Sequence, residues 1–161
     1  MAEVFTKKLV LFDFDGVIVN SFEISYQLVL RKNPGWTREQ EKQLFDGNVH
    51  EEVEKIKNNG SGFVEEEKEF FKEYTPMLLE FPPVSGIAHV IEELGRIYQL
   101  VVVSSTISSP IQGYLDMHNL DRHFDWIMGR DVHRSKVAKI QMALKEYNTN
   151  AEGCIFITDT L

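Results

Sequence analysis

One cysteine, Cys154, stands in 161 residues, so no internal disulfide staples this fold, and a reducing compartment is the natural setting. Cys154 opens an apolar run and reads as a small buried side chain rather than a reactive thiol. Positive charge is also scarce: 17 Lys and Arg face 25 Asp and Glu, for a formal net charge of −8. With no basic face, neither nucleic acid nor an anionic membrane is an expected partner. Long hydrophobic runs are missing, since no window approaches the roughly 18 apolar residues of a membrane span. Met1 to Lys8 hold no apolar stretch of signal-peptide length, so a cytoplasmic location is expected. Repeats, low-complexity tracts and flexible linkers are absent too. The hydrophobic share of 43% and charged share of 26% are ordinary for a globular chain, and its length supports one core plus a small insert.

What is present is organised around Leu9-Val10-Leu11-Phe12-Asp13-Phe14-Asp15-Gly16. The apolar part predicts a short strand buried on both faces, ending abruptly in two carboxylates and a glycine. Alternation along a strand lets Asp13 and Asp15 point the same way at its open end. Two neighbouring acids repel, which raises one pKa unless a cation sits between them. Such a pair is either a metal site or an acid/base pair.

Downstream, the pattern turns helical. Phe22, Tyr26, Val29 and Leu30 carry helical spacing, and Asn33-Pro34-Gly35 should stop that helix. Thr37 with Gln40 forms a capping box for a second helix with Leu44 and Phe45 inward. A polar helix from about 49 to 57 and another from about 64 to 79, lined by Phe70, Phe71, Tyr74, Leu78 and Leu79, follow. Glu65, Glu66 and Glu67 are expected on a solvated face near a helix start. From 82 on, strands return. A helix capped near Ser85 carries Ile87, Val90, Ile91, Leu94 and Ile97, and leads to the strand Leu100–Val103. Ser109-Pro110 predicts an N-cap with proline at the first helical position. A short strand at Trp126–Met128, a helix capped by Ser135 and a last strand from Cys154 to Thr158 complete the order. Strands alternating with helices predict a parallel sheet with right-handed crossovers. The expected fold is α/β: a doubly wound parallel-sheet core, residues 1–19 and 82–161, with a small all-helical cap inserted after the first strand, residues 20–81.

Three strands end in polar residues suited to chemistry, Asp13 with Asp15, Ser104 with Ser105, and Asp159, and a parallel sheet brings such ends to one edge. In this order they resemble the haloacid dehalogenase superfamily, in its branch of aspartate-dependent phosphatases with a helical cap, similar to phosphoglycolate phosphatases and β-phosphoglucomutases. Asp13-Phe14-Asp15-Gly16-Val17 matches the first motif of that family, and the strand ending in Ser104 resembles the second. Lys136 resembles the basic third motif, and Ile157-Thr158-Asp159-Thr160 the acidic fourth. The stretch Leu120 to Asp131 resembles the segment between the second and third.

The resemblance implies roles that suit the chemistry. Asp13 would be the nucleophile that forms an aspartyl-phosphate. Asp15 would protonate the leaving oxygen and then deprotonate water. Mg²⁺ would be held by Asp13, Asp159 and the backbone carbonyl of Asp15. Ser104 would donate to a phosphoryl oxygen, with Ser105 or Thr106 as alternatives, and Lys136 would neutralise charge, with Lys139 one turn away as the alternative. Gly16 lets the chain turn beneath the phosphate, and Asn20 and Ser21, with 46–48, are candidate substrate contacts. His50, His89, His118, His123 and His133 lack ligand-like spacing.

Departures from the family pattern are Asn20 where an aspartate is common, Ser85 where proline usually precedes the glycine, and no proline after Lys136. The family's fourth motif runs on to a further acid, strand and helix, so the protein is expected to continue past Leu161. The expected function is a Mg²⁺-dependent phosphatase hydrolysing a small phosphorylated metabolite, its cap closing over the site. The alternatives are a phosphotransferase or sugar-phosphate mutase of the same superfamily, or a catalytically silent phosphate-binding or regulatory module. Neither the substrate nor the oligomeric state is encoded legibly.

Overall fold

A computed structural model describes residues 9–45 and 67–159. The described residues fall into two compact units, 9–20 with 82–159 and 21–45 with 67–81.

The first unit is built on a four-stranded, wholly parallel sheet in the order β3-β2-β1-β4, with β1 Leu9–Phe12, β2 Gln99–Val103, β3 Trp126–Met128 and β4 Cys154–Ile157. Phe12 is level with Val102 on one side and Ile157 on the other, and Val103 is level with Met128. Every residue of β1 is buried because helices cover both faces. Alternation sorts the side chains. Leu9 and Leu11 join Val101, Val103, Met128 and Ala143 in one cluster, with Ile140, Leu144 and Tyr147 against it. Phe12 points the other way and meets Phe124 edge to face, ring centroids 5.7 Å apart. The covering helices of this unit are here called α4 Ile87–Gly95, α5 Ser108–Met117 and α6 Lys136–Glu146.

The expected order of strands and helices in this unit is present, with three corrections. Helix α5 begins at Ser108 behind Ile107, so Pro110 is its third residue rather than its first. Proline fits anywhere in a first turn, where the N–H groups have no helical partner. On α4, Ile91 is fully buried, but Val90 and, just past the helix, Ile97 are exposed, so the inward stripe is narrower than the apolar spacing suggests. Cys154 is half-buried rather than buried, on the edge strand β4.

The second unit consists, among the described residues, of α1 Phe22–Lys32, α2 Arg38–Phe45 and α3 Glu67–Glu80. The capping box forms: the Thr37 amide donates to Gln40 Oε1 at 2.9 Å and the Gln40 amide to Thr37 Oγ1 at 3.2 Å. Asn33 ends α1, its side chain donating to the Val29 carbonyl at 3.0 Å. Val29, Trp36 and Leu44 form the local core, with Tyr26, Leu30 and Phe70 against it. Buried Glu41 ties α2 to α1, accepting from Ser25 Oγ at 2.5 Å and from Trp36 Nε1 at 2.8 Å. The expected helix α1 forms; its most buried side chains are Ile24 and Leu28, with Phe22 and Tyr26 half-buried and stacked on each other. Helix α3 runs through Pro76 and buries Tyr74 and Leu78. The expected helix at 49–57, the start of the next one and the acidic run at 65–67 lie outside the described residues or side chains, as does the Phe45 side chain. No described helix is long and apolar enough to cross a membrane.

Candidate active site

Strand parity delivers Asp13 to its partner. Asp13 shares the parity of Leu9 and Leu11, whose face is covered by α6, and α6 begins with Lys136. Ser135 fixes that start, its Oγ accepting from the Ala138 amide at 3.3 Å. Lys136 Nζ lies 2.5 Å from Asp13 Oδ2, with the carboxylate buried and the lysine side chain about one-third exposed. The same oxygen accepts from Thr158 Oγ1 at 3.2 Å, and Oδ1 accepts from the Phe14 amide at 2.9 Å. Thr158 follows Ile157, the partner of Phe12, so the β1–β4 register sets it level with Asp13; the Asp13 amide donates to the Ile157 carbonyl at 2.8 Å. Burial raises the Asp13 pKa, the charge and hydrogen bond of Lys136 oppose that rise, and the nearby Asp15 carboxylate adds to it.

Beyond Asp13 the chain folds back tightly: the amides of Val17, Ile18 and Val19 all reach the Phe14 carbonyl, and the Gly16 amide donates to Val19 O at 2.8 Å. Gly16 takes φ +77°, where a side chain is strained. It also lies against Asp159: a Cβ on Gly16 would come within 1.8 Å of Asp159 Oδ2. Asp15 Oδ2 accepts from Thr106 Oγ1 at 2.9 Å and from Ser104 Oγ at 3.3 Å, and the Thr106 amide donates to Ser104 Oγ at 3.0 Å. Half-buried Ser105 lies between these two. The floor beneath is apolar, Phe14 meeting Tyr114 edge to face at 5.4 Å, and burial pushes the Tyr114 phenol up to about 12.

Within the first unit, then, Asp13, Asp15, Gly16, Ser104, Lys136 and Asp159 come together at the carboxyl ends of the strands. Of the two lysines, Lys136 reaches Asp13, while Lys139 is fully buried and turns to backbone carbonyls. Asn20 is exposed at the end of the first unit, and Ser21 is buried at the head of α1 in the second. Residues 46–48 are outside the described set. Sequence reasoning assigned nothing to Thr158 and gave Thr106 only as an alternative phosphate donor. Strand register alone signals Thr158. His118 packs on Tyr114, centroids 4.4 Å apart, and its buried Nε2 has no hydrogen-bond partner among the described residues.

Asp131 locks the far side of this edge. It accepts from the Ser108 amide at 2.7 Å and from Ser108 Oγ at 2.8 Å, and the Gly129 amide donates to the same hydroxyl at 3.1 Å. A Cβ on Gly129 would lie 2.4 Å from the Ser108 nitrogen, so only glycine fits. Burial works to raise the Asp131 pKa, but the Ser108 hydrogen bonds win and hold it below the ordinary 3.8. A depressed carboxylate contributes stability above its unfolded value and loses it as pH falls through the folded one. Asp131→Ala is expected to cost about 1 kcal/mol at pH 7, or about 2–4 °C in thermal midpoint. That gap should close as the pH drops below 3.8; a gap independent of pH would mean that the carboxylate charge is not what caps α5.

The oxygen-rich arrangement suits a hard cation. Among the described residues no three His, Cys, Asp or Glu side chains gather into a metal cage. Mg²⁺ does not need one, because it retains several waters and takes one or two carboxylates. Asp13, and Asp159 against the Gly16 backbone, are the carboxylates that fit.

The family model of the haloacid dehalogenase-like hydrolases matches residues 10–161, nearly the whole chain. The chain belongs to that family. Among solved structures, this haloacid dehalogenase-like hydrolase is similar to CbbY from Rhodobacter sphaeroides, determined with xylulose 1,5-bisphosphate: 17% identity, TM-score 0.74, covering 94% of this chain and 77% of that one. It is similar to a predicted phosphoglycolate phosphatase from Haemophilus somnus at 18% identity and TM-score 0.67, covering 96% and 77%. A third, YfnB from Bacillus subtilis with magnesium bound, has 16% identity and TM-score 0.63, covering 96% and 81%. At such identities the likeness establishes the haloacid dehalogenase-like fold. No curated protein matches significantly.

Proposed function

We propose that this hydrolase is a Mg²⁺-dependent phosphatase of a small phosphorylated metabolite, working through an aspartyl-phosphate. The carrying observation is the pairing at the end of β1: Asp13 buried against Lys136, and Asp15 held separately by Ser104 and Thr106. One carboxylate is thereby oriented to attack and the other to handle protons. Asp13 forms a bond to phosphorus as the bond to the ester oxygen breaks, and Asp15 gives its proton to that departing oxygen. Asp15 then takes a proton from water, whose oxygen displaces Asp13 from phosphorus and leaves inorganic phosphate. Lys136 stabilises the growing negative charge, and the Ser104 hydroxyl, which donates to Asp15 in the structure, would turn its one proton to a phosphoryl oxygen. When bound, Mg²⁺ on Asp13, Asp159 and the Asp15 carbonyl supplies positive charge that offsets the repulsion between carboxylate and phosphate. The relatives' names and the bound bisphosphate of CbbY support a phosphorylated small molecule as the substrate class.

The test is phosphate release from p-nitrophenyl phosphate followed by a panel of metabolite phosphates, with Mg²⁺ and with chelator. Turnover that chelation removes and Mg²⁺ restores is the expected result. A folded protein loaded with Mg²⁺ and inert across the whole panel would overturn the proposal in favour of a catalytically silent phosphate-binding module.

A further inference from the structure

Lys139 is fully buried, yet no carboxylate among the described residues pairs with it. Its Nζ hydrogen-bonds to the Ser104 carbonyl and lies 3.4 Å from the Gly129 carbonyl. Those two carbonyls stand where the ladder between β2 and β3 runs out. The last paired residues are Val103 and Met128; beyond them the Ser104 amide donates to Met128 O at 3.1 Å and the Arg130 amide to Thr106 O at 2.9 Å. Between these two bonds the ammonium fills the place of a strand partner. A buried ammonium is costly unless its donors are used. Burial first, and the neighbouring Lys136 charge second, push its pKa down to about 8. Asp13, Asp131 and Arg130 are the other charges felt there. A leucine or methionine would fill the same space without that cost, so the ammonium is kept for its bonds.

We infer that Lys139 is a positioning residue: it clamps the ends of β2 and β3 together and so sets the Ser104 and Thr106 hydroxyls that hold Asp15. The step from that brace to proton transfer rests on the phosphatase reading; the brace itself does not. Removing the ammonium lets the 104–106 turn drift and misaligns Asp15, leaving Asp13 and Lys136 in place. The defect then depends on the leaving group. An alkyl phosphate needs a proton from Asp15 on its departing oxygen, whereas p-nitrophenolate leaves without one.

The experiment compares wild type with Lys139→Met by amide hydrogen exchange and by kinetics on p-nitrophenyl phosphate and β-glycerophosphate. Expected are faster exchange confined to 104–107 and 129–131, and a kcat loss about tenfold larger on the alkyl ester than on the aryl ester, with KM changed less than about twofold. Unchanged exchange in both segments overturns the brace. Equal losses on the two esters overturn the positioning role and leave Lys139 a stability residue. A wild type inert towards both esters counts against the phosphatase reading, while the exchange data still decide the brace. Should Lys139→Met fail to fold, ¹⁵N-lysine spectra of the wild type decide it: an ammonium shielded from water exchange supports the brace, and one exchanging like surface lysines overturns it.

Discussion

Asp13→Asn is expected to lower Mg²⁺-dependent phosphate release by at least about 10³-fold while leaving a folded protein. The amide keeps the shape of the carboxylate but has no oxygen able to form a bond to phosphorus. Its fit is imperfect, because Asp13 accepts from three donors, Phe14 N, Lys136 Nζ and Thr158 Oγ1. An asparagine must turn its NH₂ towards one of them, at a cost of about 1–3 kcal/mol. The ionised carboxylate, however, is itself unfavourable in the metal-free fold. Its pKa is raised by burial above 3.8, so its contribution to stability is intact below that value and is lost as pH rises through the folded one. At neutral pH the substitution removes that penalty, which opposes the cost of the turned amide. Thermal melting of both proteins with chelator should therefore give midpoints within a few degrees at pH 7, with the variant losing ground below pH 4. Acid-quenched mass spectrometry should find a phosphorylated Asp13 peptide in the wild type only. Turnover within tenfold of wild type in Asp13→Asn would assign the nucleophile elsewhere.

Gly16→Ala is expected to uncouple metal use from folding. The new methyl group would sit 1.8 Å from Asp159 Oδ2 and 2.4 Å from its Cγ, well inside any real contact. Asp159 is exposed and its carboxylate ends a short side chain that can swing away, so the collision is relieved by moving the acid rather than by unfolding. What remains is the left-handed backbone at φ +77°, worth about 1–2 kcal/mol for a residue with a Cβ. Activity should fall about 10²-fold or more at low Mg²⁺, since a misplacement of about 1 Å carries such a cost, and part should return at high Mg²⁺. The measurement is the Mg²⁺ dependence of kcat/KM beside a chemical denaturation curve. An unchanged Mg²⁺ dependence would remove Asp159 from the metal site and leave its contact with Gly16 a packing detail.

Much of this arrangement is written locally in the chain. The apolar run of β1, its abrupt acidic end, the Thr37–Gln40 capping box and the Ser135 cap each depend on residues within a few positions, and all appear in the structure. Residues set by distant partners are not legible in this way. Thr158 reaches Asp13 only because β4 pairs with β1 in one register. The start of α5 is decided by Asp131, 23 residues beyond Ser108, so a rule based on Ser109-Pro110 misplaces it. Lys136 and Lys139 share a helix face and a charge, and differ only in depth, which no spacing rule records. Val90 and Ile97 show the reverse error: apolar spacing marks them as core, but α4 covers too little of the sheet to bury either.

The central place of β1 also fixes when the site can exist during folding. The groups on Asp13 Oδ2 come from 123 and 145 positions along the chain, and neither can arrive by a hairpin, because every described strand pair is parallel. Closing loops of that length comes before the contacts that reward it, which makes such pairings slow. Asp13 is therefore synthesised before its partners and completed only when they arrive: until β4 docks, it lacks Thr158, and Asp159 has no Gly16 to rest on. A ligand of the finished site binds the native state alone. Held at about 100 times its dissociation constant, it would deepen the native basin by about 2.7 kcal/mol, so the assembled end of β1 also acts as a gauge of whether the chain has finished folding.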